Sequence, residues 1–540
     1  MKSTPPMRLV ACLILLPLLL LSGCGKPAPP PLTKEQLLDR ASADFFAGPI
    51  PTFEVQIATN FVDSLRQDGR KSVPATVIVG TNVFESVSVH VKGAAGSTRS
   101  IDDNPALTLS FGKFKEGQDC FGLRKLHLNN SVQDPTRLDE LVASSLYRMA
   151  GVPTARTTHA LVRLNGRDLG LYVLKEGYDK TFVRRNFPYG TNEPGNLYDG
   201  GFVRDIDQDL DREVGAGTNS YADLRLLRDA VNEPVATRAP KLAAILNVDR
   251  FLTFLAIQSF TDDWDGYARN HNNYRLYHDR VSGRFHFIPH GMDQLFANPG
   301  KSIEPEWNGV VVQRLFELPD YRDRYLDRLA ALSTNILTES VLTNLVAGAT
   351  VRLRAAMAGR DPEEQERLFR DIGHLRARLV ERVRNVEQQL ILRPKPVKFD
   401  AHGELQVGGW LPRPDSGNGV ADVVTLPEAG RVLHLVARSG GTVAGFRAPI
   451  RLPSGHYILS GRVKTRDLDP VQDDRGRGAG LRIGGSSRSN SLAGTADWTL
   501  MRFDFDLPDG RDLELVAEIR ANRGEAWFDL NSLHLTRHAP

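Results

Sequence analysis

Hydrophobic and polar positions alternate through much of residues 52–111, as in Val87-Ser88-Val89-His90-Val91. A period of two predicts antiparallel strands separated by turns. Leu123–Leu128 reads as a further strand. The period lengthens at Arg137–Ala150, where Leu138, Leu141, Val142, Leu146 and Met149 recur at helical spacing before Gly151 and Pro153 stop the run. Ala160–Leu164 and Leu169–Lys175 flank Asn165-Gly166, a hairpin turn signal. Residues 185–240 are rich in Asp, Gly and Asn and are expected to be loop-rich. Val248–Thr261 reads as an apolar helix. Asn273–Tyr277 and Arg284–Ile288 alternate again around a turn at Ser282-Gly283. A short helix is expected at Lys34–Phe46, and the stretch from Val310 to Leu392 is predicted to be mostly helical.

Leu392-Arg393-Pro394-Lys395-Pro396 reads as a linker. Beyond it Tyr457, Leu459 and Val463 share one phase, and Met501, Phe503, Phe505 and Leu507 alternate with polar residues. Short strands between Gly, Pro and Asp turns predict a β-sandwich over 400–540. The fold class expected is α+β, with a helical subdomain at about 310–392 inside a body of 49–395.

The first residues follow a different logic. Lys2 and Arg8 precede an apolar run, Leu9 to Leu21. That run is shorter than the ~20 residues a bilayer span needs and fits the core of a secretory signal. Leu21-Ser22-Gly23-Cys24 resembles a bacterial lipobox. Residues 1–23 are therefore expected to be a signal peptide, with lipidation at Cys24 and a proline-rich tether over 24–48. Gly25 follows the cysteine, so the resemblance implies an exported protein anchored at the outer membrane or cell surface. Cys12 leaves with the signal, and Cys120 reads as a small buried hydrophobe. A net charge of +3, from 68 basic against 65 acidic residues, excludes the strongly basic footprint of a nucleic-acid binder.

The densest chemistry is Thr261-Asp262-Asp263-Trp264-Asp265-Gly266, then Asn270-His271-Asn272-Asn273, then Pro289-His290-Gly291-Met292-Asp293. Carboxylate and amide oxygens are hard ligands suited to Mg²⁺ bridging phosphates. In phosphoryl transfer one Asp orients the acceptor hydroxyl while an Asn and another Asp hold metal. The other reading of these residues is turn and cap chemistry. Val91-Lys92-Gly93-Ala94-Ala95-Gly96-Ser97-Thr98-Arg99 is small, hydroxylated and basic, and suits either a phosphate cradle or a hairpin loop.

In order along the chain, these pieces resemble the CotH kinase family of spore-coat and surface proteins. The matching stretches are Lys92-Gly93 with Ser97, then Leu126-His127-Leu128-Asn129-Asn130 with Asp134, then Val162-Arg163-Leu164-Asn165-Gly166. Gly170-Leu171-Tyr172-Val173-Leu174-Lys175-Glu176, Trp264-Asp265-Gly266, Asn273-Tyr274 and Asp293-Gln294-Leu295-Phe296 complete the set. The resemblance implies an atypical protein-kinase-like body that moves the ATP γ-phosphate to Ser or Thr of an unidentified protein, with Mg²⁺ or Mn²⁺. It makes Asp265 the catalytic residue and Asp293 and Asn273 the metal ligands. Lys92, Ser97, Lys125 and Glu176 become nucleotide contacts. Lys92 stands where the family usually shows Arg, and Gly291 where many members carry another Asp. The alternative is a non-catalytic envelope scaffold. The tail resembles galactose-binding-like jelly rolls of carbohydrate-binding modules, which implies a cell-surface polysaccharide partner. Trp498, Trp527 and Tyr457 are its candidate sugar-stacking rings, although each lies in an apolar strand pattern that favours the core, and Asp529 is a candidate for structural Ca²⁺.

Overall fold

The computed structural model describes residues 32–94, 96–188, 193–218, 220–318, 320–471, 474–508 and 510–538. Cys24 and the signal segment lie outside them. The chain divides into two compact units, one running up to Asn130 with Thr157–Arg185, the other made of Ser131–Arg156 and everything from Asn186 onward. Both mix helices with sheets.

In the first unit, strands β1 (Thr52–Gln56), β2 (Val73–Val79), β3 (Asn82–Lys92), β4 (Ala106–Ser110), β5 (Lys125–Asn129), β6 (Thr157–Leu164) and β7 (Arg167–Glu176) form a barrel. The order among described residues is β1-β2-β3-β4-β5-β7-β6. Parallel pairing of β6 with β1, Val162 beside Phe53, closes it. The alternation read from sequence is the inside–outside pattern: Val73, Ala75, Val77 and Val79 point inward while the residues between them are half-buried. Asn165 turns the β6–β7 hairpin at φ 48°. Its side chain also bonds Ile57 through both amide atoms, at 2.7 and 2.9 Å, tying the turn to the end of β1. Cys120 is buried without a disulfide partner, and burial pushes its thiol pKa up.

In the second unit, β8 (Asn196–Asp199), β9 (Asp211–Val214), β10 (Tyr274–Asp279) and β11 (Arg284–Pro289) form a sheet ordered β11-β10-β8-β9. Among the described residues, 185–240 are loop-rich up to Tyr221, as expected, and regular beyond it. Besides β8 and β9 they hold the helix Ala222–Asn232 and the start of Val235–Ile245. Four-residue strands are too short to display a period, and Leu224, Leu227 and Val231 carry a helical stripe diluted by Asp and Asn. The expected helical stretch is present as Val310–Phe316, Tyr321–Asn335, Glu339–Met357 and Pro362–Leu392. The last is capped by Asp361, which accepts from the Glu363 amide, with Pro362 in the first turn. Arg382 is buried on that helix. Its guanidinium donates to the carbonyls of Phe260 (2.9 Å), Ser259 (2.8 Å), Pro299 (3.1 Å) and Lys301, fixing the helix to the end of Val248–Phe260.

The tail is an eleven-stranded, hydrogen-bonded system among the described residues. Two long strands, Gly455–Pro470 and Arg511–Asp529, each change partners along their length. Arg511–Asp529 pairs first with Thr442–Leu452 and Gly478–Ile483, then with Gly430–Ala437 and the far half of Gly455–Pro470. Phe446, Leu459, Leu481, Leu515, Phe528 and Leu535 meet in one core. Among the described residues, no helix is long and apolar enough to cross a membrane.

Candidate active site

In the first unit the phosphate-loop candidates sit at the end of β3. Lys92 Nζ donates to Asn129 Oδ1 at 2.6 Å. Ser97 Oγ accepts from the Ala94 amide at 3.1 Å, and Asn130 Nδ2 reaches the Ser97 carbonyl at 3.3 Å and that of Asn104 at 2.8 Å. The Leu-Asn-Asn motif thus holds the Lys92–Ser97 loop in shape. Lys125 and Glu176 lie elsewhere. Lys125 begins β5 and Asn129 ends it, so about 13 Å of strand separates the two pairs. Lys125 Nζ donates to the Tyr178 carbonyl at 3.3 Å, and Glu176 forms a bidentate ion pair with Arg185. The structure brings Lys92 and Ser97 together and leaves Lys125 and Glu176 in a separate local arrangement.

In the second unit the Trp-Asp-Gly motif follows the helix Val248–Phe260. Asp262 takes φ 51° and pairs with Arg269 at 2.9 Å. Asp263 is interior, where burial raises its carboxyl to about 7 despite a 3.0 Å bond from Gln258 Nε2. Gly266 is required here, because a Cβ would stand 1.9 Å from that Gln258 nitrogen. Asp265 turns outward into a ring of amides. Its Oδ1 accepts from Asn270 Nδ2 (2.6 Å) and Asn272 Nδ2 (3.2 Å), and its Oδ2 from Asn273 Nδ2 (2.8 Å). Amides orient a carboxylate without neutralising it. Asn270 and Asn272 are members of the site that the motif reading passed over. The Asn-rich spacing was their signal, but only the helix Tyr267–Asn270, ending at His271 with φ 51°, turns all of them toward Asp265.

Asp293 lies in a segment anchored at both ends. The His290 amide donates to the Asn273 carbonyl at 3.0 Å, and the Phe296 amide to that of Thr261 at 2.8 Å. The Leu295 amide donates to Asp139 Oδ2 at 2.9 Å. Asp139 itself is buried, its Oδ1 lacks a hydrogen-bond partner, and burial with Asp134 and Asp293 nearby pushes its carboxyl well above the usual range. Asp134 caps the following helix, accepting from the amides of Thr136 (2.8 Å) and Asp139 (3.0 Å). Gly291 takes φ 56°, and a Cβ there would stand 2.2 Å from Asn273 Oδ1. The Asn273 amide oxygen therefore fills the space that a side chain at 291 would enter.

These donors fit Mg²⁺ or Mn²⁺ in kind. Asp265, Asp293 and the Asn273 amide offer hard oxygens, and Mg²⁺ characteristically takes one or two carboxylates and fills its shell with phosphate oxygens and water. Among the described residues, no group of three His, Cys, Asp or Glu side chains forms a self-sufficient metal cage.

The tail candidates separate sharply. Tyr457 is fully buried with its hydroxyl on the Pro453 carbonyl at 2.8 Å, so it presents no ring to a sugar. Trp527 is 8% exposed, stacked on His434 at 5.0 Å between ring centroids and overlain by Arg466 at 5.3 Å, so its faces are covered as well. The apolar strand pattern around both rings had favoured the core, and they lie there. Trp498 is half-buried, with Arg462 and Lys464 at 5.9 and 6.0 Å from its centroid. Asp529 does not fit Ca²⁺: its carboxylate is buried, ion-paired to Arg462 and bonded to the Asn531 amide at 3.0 Å.

Comparison with known proteins places these features. A family model described as CotH kinase protein matches residues 89–392. Inner spore coat protein H of Bacillus subtilis (strain 168) is 25% identical over 199 residues, 34% of this chain and 52% of that protein. Invasin CotH2 of Rhizopus delemar is 24% identical over 263 residues, 44% of this chain and 43% of that protein. The chain spans about half the length of the curated relatives it matches. A carbohydrate-binding module, TmCBM61, solved with β-1,4-galactotriose, is 15% identical, covering 24% of this chain and 88% of its own at a TM-score of 0.18.

Proposed function

The chain belongs to the CotH kinase protein family, and on that premise we propose that it is a surface-anchored, atypical protein kinase that transfers the γ-phosphate of ATP to Ser or Thr of a protein substrate. The observation that carries this reading is the Asp265 carboxylate, held by three asparagine amides at 2.6 to 3.2 Å with no ion pair to it among the described residues. An oriented, unneutralised carboxylate is what an acceptor hydroxyl needs beside it. Asp293 and Asn273 are the proposed metal ligands; a divalent ion there supplies charge neutralisation for the phosphates. Lys92 and Ser97 are the proposed phosphate contacts, with Lys125 and Glu176 contributing less because Tyr178 and Arg185 engage them. Lipidation at Cys24 is the proposed anchor, at the outer membrane or cell surface, in keeping with the spore-coat and invasin names of the relatives. The tail is proposed to hold polysaccharide.

A thermal-shift titration with ATP and Mg²⁺ or Mn²⁺, run beside a phosphotransfer assay, tests the reading. A ligand at a hundred times its Kd adds ~2.7 kcal/mol of stability. Asp293→Asn is expected to weaken the metal-dependent ATP response. Asp265→Asn is expected to leave that response nearly intact and lower transfer by ~10²–10⁴-fold. Absence of any response to millimolar ATP in the parent chain would replace the kinase with the envelope scaffold.

A further inference from the structure

Along the strand Arg511–Asp529, Leu515, Ala517, Ile519 and Ala521 enter the tail core. The residues between them face the other way. Register extends that outer face sideways: Val516 lies opposite Arg447 on one neighbour and Arg482 on the other. The outer face therefore carries Arg447, Arg482, Glu518 and Arg520. Arg488 closes over it, fully buried. Glu518 sits among four guanidiniums, with Arg482 and Arg520 at 2.9 Å, Arg488 at 3.3 Å and Arg447 at 3.8 Å. Asp415 also pairs with Arg447, so two carboxylates face four guanidiniums and the group stays in positive surplus. Arg447 Nη1 and Arg482 Nε, on side chains 8% and 2% exposed, have no hydrogen-bond partner. Beside them opens a cavity of about 370 Å³ lined by five arginines and three carboxylates.

We propose that this cavity binds a uronate unit of an acidic polysaccharide. Arg447 Nη2 is held by Asp415, and the Arg482 Nη atoms by the Ile483 carbonyl and Glu518, so each arginine keeps an unused donor, and the pair of them matches the two oxygens of a carboxylate. Asp415, Asp474 and Glu514 on the wall are acceptors for sugar hydroxyls. They repel a ligand that brings only negative charge, which disfavours free phosphate. No aromatic ring lines the cavity, so recognition is polar and does not use stacking. The inference deepens the polysaccharide reading of the tail, shares no residue with the phosphoryl-transfer site, and moves sugar recognition away from Trp498.

Isothermal titration of the full chain at 150 mM salt tests it with three probes: trigalacturonate, neutral galactotriose and inorganic phosphate. Trigalacturonate is expected to bind. Arg413→Gln, at a side chain 58% exposed, leaves the fold intact and is expected to weaken binding at least about tenfold. Arg447→Lys, which keeps charge but has no second arm to present once Asp415 holds it, is expected to weaken it similarly, and the exposed Arg438→Gln to leave it unchanged. Galactotriose binding as tightly as trigalacturonate overturns the acidic assignment while preserving the polysaccharide reading. Binding of neither saccharide overturns both. Phosphate binding as tightly as trigalacturonate, or undiminished trigalacturonate binding in Arg413→Gln and Arg447→Lys, also overturns the proposal.

Discussion

At the scale of single residues, the site is organised by what does not fit. Position 291 carries no side chain because the backbone is left-handed there and Asn273 Oδ1 stands 2.2 Å from where a Cβ would be. The missing carboxylate is thus coupled to the Asn273 amide, which in turn bonds Asp265. Gly291→Ala is expected to displace Asn273 and free one side of Asp265, lowering stability by about 1–3 kcal/mol and weakening the metal-dependent ATP response. Gly283→Ala is the control: its φ is 68°, but a Cβ there meets nothing within 4 Å. It incurs the backbone strain alone, so melting temperature falls while the ATP response persists. A Gly291→Ala protein that melts like Gly283→Ala and keeps its ATP response would show that Asn273 adapts freely. Asp265, Asn273 and Asp293 were singled out by the family resemblance, because on spacing alone the same residues suit turn and cap chemistry. The amide ring around Asp265 was not, because it depends on the one-turn helix and the left-handed His271.

At the scale of elements, legibility tracked the length of the period. The barrel strands and the helices beyond 310 show long alternating or helical runs and read directly, except that the helix Thr59–Gln67, between β1 and β2, stands where only strands and turns were expected. The four-residue strands β8 and β9 carry too few positions to do so. In the tail the apolar strand pattern already favoured the core for Tyr457, which is where it lies, but it carried no sign that Glu518 faces a buried arginine cluster assembled from strands distant in sequence. That cluster has a pH signature. Burial alone would raise the Glu518 carboxyl, but Arg482 and Arg520 hold it down at about 2, below its ordinary 4.5. A depressed carboxylate contributes stability above its unfolded pKa, and that stability is lost as pH falls from about 4.5 toward 2. The shift corresponds to about 3 kcal/mol. Glu518→Gln is expected to lower the melting temperature at pH 7, and to flatten the acid limb that the parent shows between pH 4.5 and 2. A variant retaining the parent's slope there would assign the acid sensitivity to other carboxylates.

At the scale of the whole molecule, the second unit joins its helices to the tail strands through charge. Asp512 accepts from Arg451 at 2.6 Å and from Arg322 at 3.1 Å. Arg451 also reaches Asp323 at 2.7 Å, and Arg322 pairs with Glu304. One carboxylate therefore separates two guanidiniums, one from the helix Tyr321–Asn335 and one from the strand Thr442–Leu452. Asp512→Asn removes the acceptor they share and leaves the Arg451–Asp323 pair as the remaining charged link between strand and helix. Exposed ion pairs are individually worth ~0.2–1 kcal/mol, so loss of this shared acceptor is expected to cost about 1 kcal/mol. That corresponds to roughly a fivefold larger population in which the tail has loosened from the helices. Limited proteolysis across residues 392–400, followed by mass spectrometry, reads this population directly. At low salt the variant should be cut about five times faster than the parent. In 1 M salt, where the Debye length falls to ~3 Å, the two rates should converge because the parent loses most of the same interaction. Equal rates at low salt would mean that strand pairing alone secures the tail, and that the bridge selects an orientation without adding to stability.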